Sequence, residues 1–448
     1  MSGLIATSQI TAIVGAGVTG LSVARFLVRQ AQPFVIFDTR EDLANAEQIR
    51  TEFGSGALEL GELKLESLSL AHEVVVSPGV PLSSPVLLQA AEAGVPLIGD
   101  IELFARHAKA PVVAITGSNA KSTVTTLVAE MAKRDGVNVA VGGNIGVGAL
   151  DLLHDSVELY VLELSSFQLE SVSRLNASVA CILNVSADHM DRYSSLQAYH
   201  AAKLRIYYGA QQIVVNRRDV LTQPPLGVGV KPVGFGGKAE FNSFGLLERD
   251  GGTWLAWQFE PLMPASALKI KGTHNVDNAL AALAIGHAAG LKHEAMLEAL
   301  RAFTGLPHRC EWIRNLAGVD YFNDSKGTNV GATLAAIEGL STDYDKLVLI
   351  AGGEGKGADF SPLKPASQRH VRAVVLIGKD ADRLAQALAS AVQIVLAKDM
   401  ADAVSQARLL AQSGDAVLLS PACASFDMFN GYEHRGQAYC AAVKELVA

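Results

Sequence analysis

The chain has 448 residues, 49% of them hydrophobic and 18% charged, with 41 glycines and a formal net charge of −8. That length exceeds one ordinary core and implies about three domains of roughly 100–200 residues, while the apolar, glycine-rich composition excludes a disordered chain and the acidic balance excludes a nucleic-acid surface. Cys181, Cys310, Cys423 and Cys440 lack metal-type spacing, and no apolar run approaches about 18 residues, so free thiols, no membrane span and a cytoplasmic location are expected.

The first predicted unit is QITAIVGAGVTGLSVARFLV, Gln9 to Val28, followed by PFVIFDTR. A β-branched run leads into Gly15, Gly17 and Gly20, a helical pattern follows, and Asp38 closes a second strand 18 residues beyond Gly20. Strand, glycine turn, helix and distal acid form a dinucleotide-type βαβ opening, whose helix start offers backbone amides to a pyrophosphate. Glycines used only for close packing are the plain alternative. The later EVVVSPGVP puts Ser77, Pro78 and Gly79 at another strand end on the same edge.

The second unit is PVVAITGSNAKSTVTTLVAEMAK, residues 111 to 133. A strand, a short loop and an amphipathic helix place Lys121 to meet phosphate oxygens and Ser122 or Thr123 to meet a divalent cation. The general phosphate-loop pattern asks for glycine six residues before the lysine and immediately before it, where this chain has Ile115 and Ala120. From about Val214 to Ile270 glycine, proline and short alternating runs such as TWLAWQF predict a small antiparallel insertion. Further strands are predicted at KLVLIAGG, AVVLIG (373–378), QIVL (393–396) and AVLLSPACAS (416–425), alternating with helices as in another parallel sheet. Asp324, Lys326, Lys356, Ser420 and Ser425 fall at strand ends on its rim.

Blocks in order along the chain, GSNAKST, GGNIG (142–146), LELSSFQLE (162–170), LNVSADHMDRY (183–193), AAKLRIY (201–207), HNVDNALAA (274–282), GLPHRCEW (305–312), NDSKGTN (323–329) and LLSPACAS (418–425), resemble those of the Mur ligases. The resemblance implies an α/β protein of three domains: a Rossmann-like UDP-binding domain (1–99), a central P-loop ATPase-type domain with a small antiparallel insertion (100–305), and a Rossmann-like C-terminal domain (306–448). It implies ATP-dependent amide formation, adding D-glutamate to UDP-N-acetylmuramoyl-L-alanine through an acyl phosphate, by a monomer acting on small molecules.

The site residues follow from the same resemblance. Gly117, Ser118, Asn119, Ala120, Lys121, Ser122 and Thr123 would cradle ATP, with Asn275, Asn278, Arg309, Asp324 and Lys326 completing its site across a domain junction that closes. Gly15, Gly17, Val18, Thr19, Asp38, Thr39, Ser77, Pro78, Gly79, Asn144, Ser165 and Gln168 would hold the UDP substrate. His189, Thr328, Lys356, Ser425 and the backbone near Tyr432 would hold D-glutamate. Ser122, Thr123, Glu163, His189 and a CO₂-derived carbamate on Lys203 would bind Mg²⁺, with Lys121, Glu163, His189 and Lys203 catalytic. Taken alone, Glu163 reads as a charged strand end, His189 as a hydrogen-bonding histidine and Lys203 as a solvated lysine.

Four positions depart from the family pattern: Ala120 and Gly327 replace the expected glycine and alanine, and Glu354 and Tyr432 replace the expected aspartate and phenylalanine. Because Ala120 begins the helix, its φ is expected to be negative. Three rivals stand beside the reading: a related Mur-type or folylpolyglutamate synthase-like ligase with a different acceptor, a dinucleotide-dependent oxidoreductase, and a catalytically idle UDP-sugar binder.

Overall fold

Fully buried β-branched runs alternating with amphipathic helices produce three sheets in succession in the computed structural model, which describes residues 10–225 and 229–447. Gln9 and residues 226–228, which the sequence reading included in its first unit and its insertion, lie outside the described residues.

The first sheet contains β1 (Thr11–Val14), β2 (Phe34–Asp38), β3 (Leu58–Leu60), β4 (Glu73–Val76) and β5 (Leu97–Ile98) in the order β3-β2-β1-β4-β5, all parallel. Its strand order reverses between β1 and β4, so a crevice opens at their carboxyl ends. The turns Gly15–Gly20 and Ser77–Gly79 meet there, with the Ser77 hydroxyl donating to the Gly15 carbonyl at 3.1 Å. Gly20 has no alternative, because a Cβ would overlap the Gly15 carbonyl oxygen.

The second sheet is built from β6 (Val112–Thr116), β7 (Val139–Gly143), β8 (Leu159–Glu163), β9 (Val179–Ile182), β10 (Gln212–Asn216), β11 (Val233–Lys238), β12 (Ser243–Arg249), β13 (Gly252–Trp257) and β14 (Glu260–Pro264), in the order β14-β13-β12-β11-β10-β9-β6-β8-β7. The antiparallel part expected near Val214 to Ile270 is present at β12–β14, but β10, β11 and β12 pair in parallel and continue the main sheet. The alternating pattern does not distinguish an added edge from a separate insertion, because both bury one face.

The third sheet comprises β15 (Glu311–Leu316), β16 (Val319–Asn323), β17 (Leu347–Gly352), β18 (Val371–Ile377), β19 (Gln393–Leu396) and β20 (Ala416–Leu419), in the order β15-β16-β20-β17-β18-β19. The β15–β16 hairpin is its antiparallel edge and was not anticipated from sequence. Ala317 and Gly318, both at positive φ of 52° and 77°, make the two-residue turn that the right-handed strand twist favours.

One apolar core runs through the first two sheets, joining Ile13 and Ile36 to Phe104, Tyr160 and Leu162. The third sheet has separate clusters on its two faces, centred on residues such as Leu349 and Leu418 on one side and Ile350 and Leu419 on the other. The first two units therefore share one core, while the third carries its own.

Candidate active site

The buried strand β6 ends at Thr116, and the chain turns through Gly117–Ala120 into the helix Lys121–Arg134. Lys121 folds back so that its ammonium donates to the Gly117 and Ser118 carbonyls at 2.8 and 2.9 Å. Ser118 is fixed by its hydroxyl, which donates to the Ser186 carbonyl at 2.9 Å, and Asn119 by its amide, which donates to Asn184 Oδ1 at 2.8 Å.

The expected negative φ at Ala120 is not found: the residue caps the helix at φ 66°, in the left-handed region. The chain must reverse its amide direction there before the helix begins, and that geometry favours glycine. The alanine methyl stores about 1–2 kcal/mol of strain. Ala120→Gly is expected to raise the unfolding free energy by up to that amount and to leave turnover within about twofold, as checked by denaturant unfolding and steady-state kinetics.

Lys203 lies in the helix Leu196–Leu204, on the inward face with Tyr199 and Ala202, and is only 1% exposed. Its ammonium donates to the Gly117 carbonyl at 2.9 Å and stands 4.5 Å from the centroid of the Tyr199 ring. Burial, reinforced by the Lys121 charge, holds its pKa well below the ordinary lysine value, with Asp188 and Glu163 opposing. Lys121 is likewise lowered by burial, against the pull of Glu163 and Asp188.

Glu163, the last residue of β8, is 2% exposed. Its Oε1 accepts from Asn144 Nδ2 at 2.8 Å, while its buried Oε2 has no partner. Its negative charge opposes the lowering of the Lys121, Lys203, Arg309 and Lys326 pKa values that burial causes. A buried carboxylate oxygen with no hydrogen bond suits a cation. Among the described residues no group of three His, Cys, Asp or Glu side chains converges on one point. A cation held here would therefore need hydroxyl or phosphate oxygens, or a modified lysine, to complete its shell.

His189, at φ 57°, packs its ring edge-on against Phe167 with centroids 4.8 Å apart. Its backbone amide donates to Asp188 Oδ1 at 2.9 Å, and burial lowers its pKa.

The residues expected to form the two halves of a nucleotide site do come together. Asn119 and Ala120 of the loop with Thr123 of the helix that follows, Asn275 and Asn278 of the helix Thr273–Ala288, and Arg309, Asp324 and Lys326 beside the third sheet line one cavity of about 450 Å³. Arg309 Nη2 donates to Ser122 Oγ at 2.6 Å, bridging the third unit to the phosphate loop. Lys326 sits 3.7 Å over the Tyr432 ring, and burial, then Arg309, brings its pKa down to about 8. Phe235, His274 and Asp277 also line the cavity and were not singled out from sequence.

Asp324 accepts from Ser420 Oγ at 2.7 Å and from the Cys310 amide at 3.2 Å, yet burial pushes its pKa up to about 7. Gly327 keeps this pair clear, since a Cβ there would stand 2.6 Å from both Asp324 Oδ2 and Ser420 Oγ. A raised carboxyl binds its proton more tightly when folded, so stability falls as pH climbs from the ordinary carboxylate range to about 7 and stays reduced above it. Asp324→Asn is expected to match wild type in thermal unfolding near about pH 4 and to exceed it at about pH 8.

At the crevice of the first sheet, Asp38 accepts from the Ala16 amide at 2.9 Å and binds Arg40 through both carboxylate oxygens at 2.8 and 2.7 Å, which holds its pKa down at about 2. Gly17, Val18, Thr39 and Gly79 are exposed there, beside the less exposed Gly15, Thr19, Ser77 and Pro78. Ser165 and Gln168 form a capping box on the helix Ser166–Glu170, and Gln168 Nε2 also donates to Asp100 Oδ2 at 3.2 Å. Their polar groups thus serve the fold, with Gln168 buried, while Asn144 is exposed beside Glu163.

On the third sheet, an isolated bridge between Glu354 and Ala424 brings the loops carrying Lys356 and Ser425 side by side. Lys356 is exposed and Ser425 buried. Thr328 follows Lys326 in the loop that Ser325 ties to the Tyr432 carbonyl at 2.8 Å. Glu354 itself is engaged by Lys379 at 2.9 Å. Sequence reading missed Arg435, 1% exposed, which donates to the Cys423 and Ala424 carbonyls at 3.1 and 3.3 Å and to the Ser325 carbonyl at 2.8 Å. Its place one turn after Tyr432 in the helix Tyr432–Glu445 was the available clue.

The arrangement can therefore receive a polyphosphate between the second and third units, with a carboxylate and several cations converging beside it. Residues 9–99 match the model of a "Mur ligase MurD-like, N-terminal domain", 115–286 that of the "Mur ligase middle domain", and 308–423 that of the "Mur ligase, glutamate ligase domain". The chain is 57% identical over 445 residues to UDP-N-acetylmuramoylalanine–D-glutamate ligases of Pseudomonas fluorescens and Pseudomonas aeruginosa, covering 99% of each partner in the comparison. It is 52% identical over 456 residues to that of Saccharophagus degradans, covering 100% of both. Among solved structures, a pseudomurein peptide ligase type C from Methanothermus fervidus superposes with TM-score 0.61 at 17% identity, over 98% of this chain and 99% of that one. A MurF from Acinetobacter baumannii does so with TM-score 0.62 at 16% identity, over 97% and 90%. These two share the fold.

Proposed function

The chain belongs to the Mur ligase family, and from that premise we infer that it adds D-glutamate to UDP-N-acetylmuramoyl-L-alanine at the expense of ATP, forming an amide in peptidoglycan precursor synthesis. The observation that carries the reading at the site is the cavity between the second and third units, lined by Asn119, Ala120, Thr123, Asn275, Arg309 and Lys326, with Arg309 reaching Ser122 beside the folded-back Lys121.

A carboxylate oxygen is a poor leaving group, so the alanyl carboxylate of the UDP substrate is first phosphorylated. Its oxygen bonds to the γ-phosphorus of ATP as the bridging bond to the β-phosphate breaks and ADP forms. The D-glutamate nitrogen then bonds to the acyl carbon, and the tetrahedral intermediate collapses with loss of phosphate and of the amine proton. Both steps crowd anionic groups together. Lys121, Arg309 and Lys326 supply positive charge to the phosphates, while Asn275 and Asn278 offer amides to the nucleoside end.

Gly15, Gly17, Val18, Thr19 and the Ser77–Gly79 turn hold the UDP end at the β1/β4 crevice, with Asp38, Thr39 and Asn144 assisting. The roles of Ser165 and Gln168 are to shape the loop after Glu163. Thr328, Lys356, Ser425 and the Tyr432 backbone bind the two carboxylates of D-glutamate, and His189 stands near its amine. Closure of the third unit excludes water from an acyl phosphate that would otherwise hydrolyse.

Lys203 bears a carbamate: a neutral amine adds to CO₂, forming an N–C bond and releasing one proton, and its depressed pKa favours the neutral form that this requires. The carbamate oxygens, Glu163 Oε2, the hydroxyls of Ser122 or Thr123, and His189 would hold Mg²⁺, which when bound neutralises phosphate charge. The UDP-binding, ATP-binding and glutamate-binding domains occupy residues 1–99, 100–305 and 306–448. The protein works as a monomer in the cytoplasm; no helix among the described residues is long and apolar enough to cross a membrane.

The test is phosphate release from ATP with UDP-N-acetylmuramoyl-L-alanine, comparing D-glutamate with L-glutamate, L-lysine and meso-diaminopimelate. Release that depends on D-glutamate and yields the UDP-linked dipeptide is expected. Equal release with another amino acid would assign a different acceptor.

A further inference from the structure

We propose that Asn329 is a positioning residue that latches the third unit onto the phosphate loop and onto the turn carrying His189. It caps the helix Val330–Leu340, where its Oδ1 accepts from the Ala332 amide at 2.8 Å. Its Nδ2 donates across the domain junction twice, to Asn119 Oδ1 at 3.2 Å and to Asp188 Oδ2 at 3.0 Å. The orientation of the side-chain amide is forced, because a carboxylate only accepts and a backbone amide only donates.

Each acceptor leads into the site. Asn119 lies two residues before Lys121 in the phosphate loop and is itself clamped by Asn184. Asp188 uses its other oxygen to accept the His189 amide at 2.9 Å, holding that residue at φ 57°. The approach is close: a Cβ on Gly331 would stand 2.9 Å from Ser186 Oγ and 3.4 Å from Asn119 Nδ2. One side-chain nitrogen thus registers the third unit against both the residue that meets phosphate and the turn beside the amine. The cap and the latch use different atoms of the same side chain, so they can be separated.

The catalytic part of this inference rests on the ligase reading; the docking part does not. Asn329→Ser keeps an N-cap acceptor and deletes the latch donors, whereas Asn329→Asp keeps the cap and faces Asp188 with a second carboxylate. Both are made in the full chain, with melting temperature, steady-state kinetics and small-angle scattering without ligands as readouts. N329S is expected to melt with wild type and to lose about 10- to 100-fold in kcat with the KM for UDP-N-acetylmuramoyl-L-alanine unchanged. N329D is expected to show a larger radius of gyration than wild type before any ligand is added. Wild-type kcat in N329S, or a wild-type radius of gyration in N329D, would overturn the latch. Wild-type protein that makes no amide from D-glutamate would instead overturn the ligase reading, and the scattering comparison would still judge the latch.

Discussion

Replacing Lys203 with methionine is expected to lower kcat by at least about 10²–10³-fold, the scale on which removal of a preorganised charge at a reacting phosphate is felt, while leaving the ligand-free fold at least as stable as wild type. The second half follows from the sign of the pKa shift. A lysine whose folded pKa lies below its unfolded value penalises folding at low pH, and that penalty is relieved only as pH rises through the folded value towards the unfolded one. Methionine matches the length and carries no charge to bury. Lys203→Arg retains a positive charge in a 1% exposed position but cannot form the carbamate, so it should be as inactive as the methionine variant. The proposed carbamate would make a further demand that no structural role shares. Wild-type activity should decline after exhaustive removal of CO₂ and recover on adding bicarbonate, and the variants should show no response.

Glu163→Gln is expected to cost about 10²–10³-fold in kcat and to raise the Mg²⁺ concentration needed for half-maximal rate. The substitution keeps the oxygen that accepts from Asn144 at 2.8 Å and replaces the unpartnered Oε2 with an amide nitrogen. Volume and the Asn144 contact persist, but loss of a buried charge beside four cations is expected to lower the melting temperature as well. What disappears is the charge that opposes the mutual repulsion of Lys121, Lys203, Arg309 and Lys326. An unchanged Mg²⁺ dependence would assign Glu163 to cation balancing alone.

Much of the fold was legible because buried parallel strands write themselves as short β-branched runs ending in glycine, as at TAIVG and VVAITG. The β15–β16 hairpin was harder to see, since EWIRNL mixes charge with apolar residues on an edge strand that is only partly buried. The residues proposed to carry phosphate chemistry could be placed at strand ends, yet their environment could not. Nothing in AAKLRIY shows that Lys203 turns inward against Gly117, because burial is decided by neighbours 86 residues away in sequence. The φ of Ala120 was misjudged for a related reason: the residue begins the helix in sequence, but the loop must turn through the left-handed region before the helix starts. Asn329 and Arg435 escaped notice because each works through contacts formed only when distant loops assemble.

In the proposed reaction those assembled contacts serve one chemical event, the transfer of a carboxylate oxygen to phosphorus. The most direct measurement uses UDP-N-acetylmuramoyl-L-alanine carrying ¹⁸O in its alanyl carboxylate, with ATP, Mg²⁺ and D-glutamate, and mass analysis of the released phosphate. One ¹⁸O atom in each phosphate, matched to amide product, is the result expected of an acyl phosphate. Phosphate free of ¹⁸O, released alongside the same amide, would contradict it.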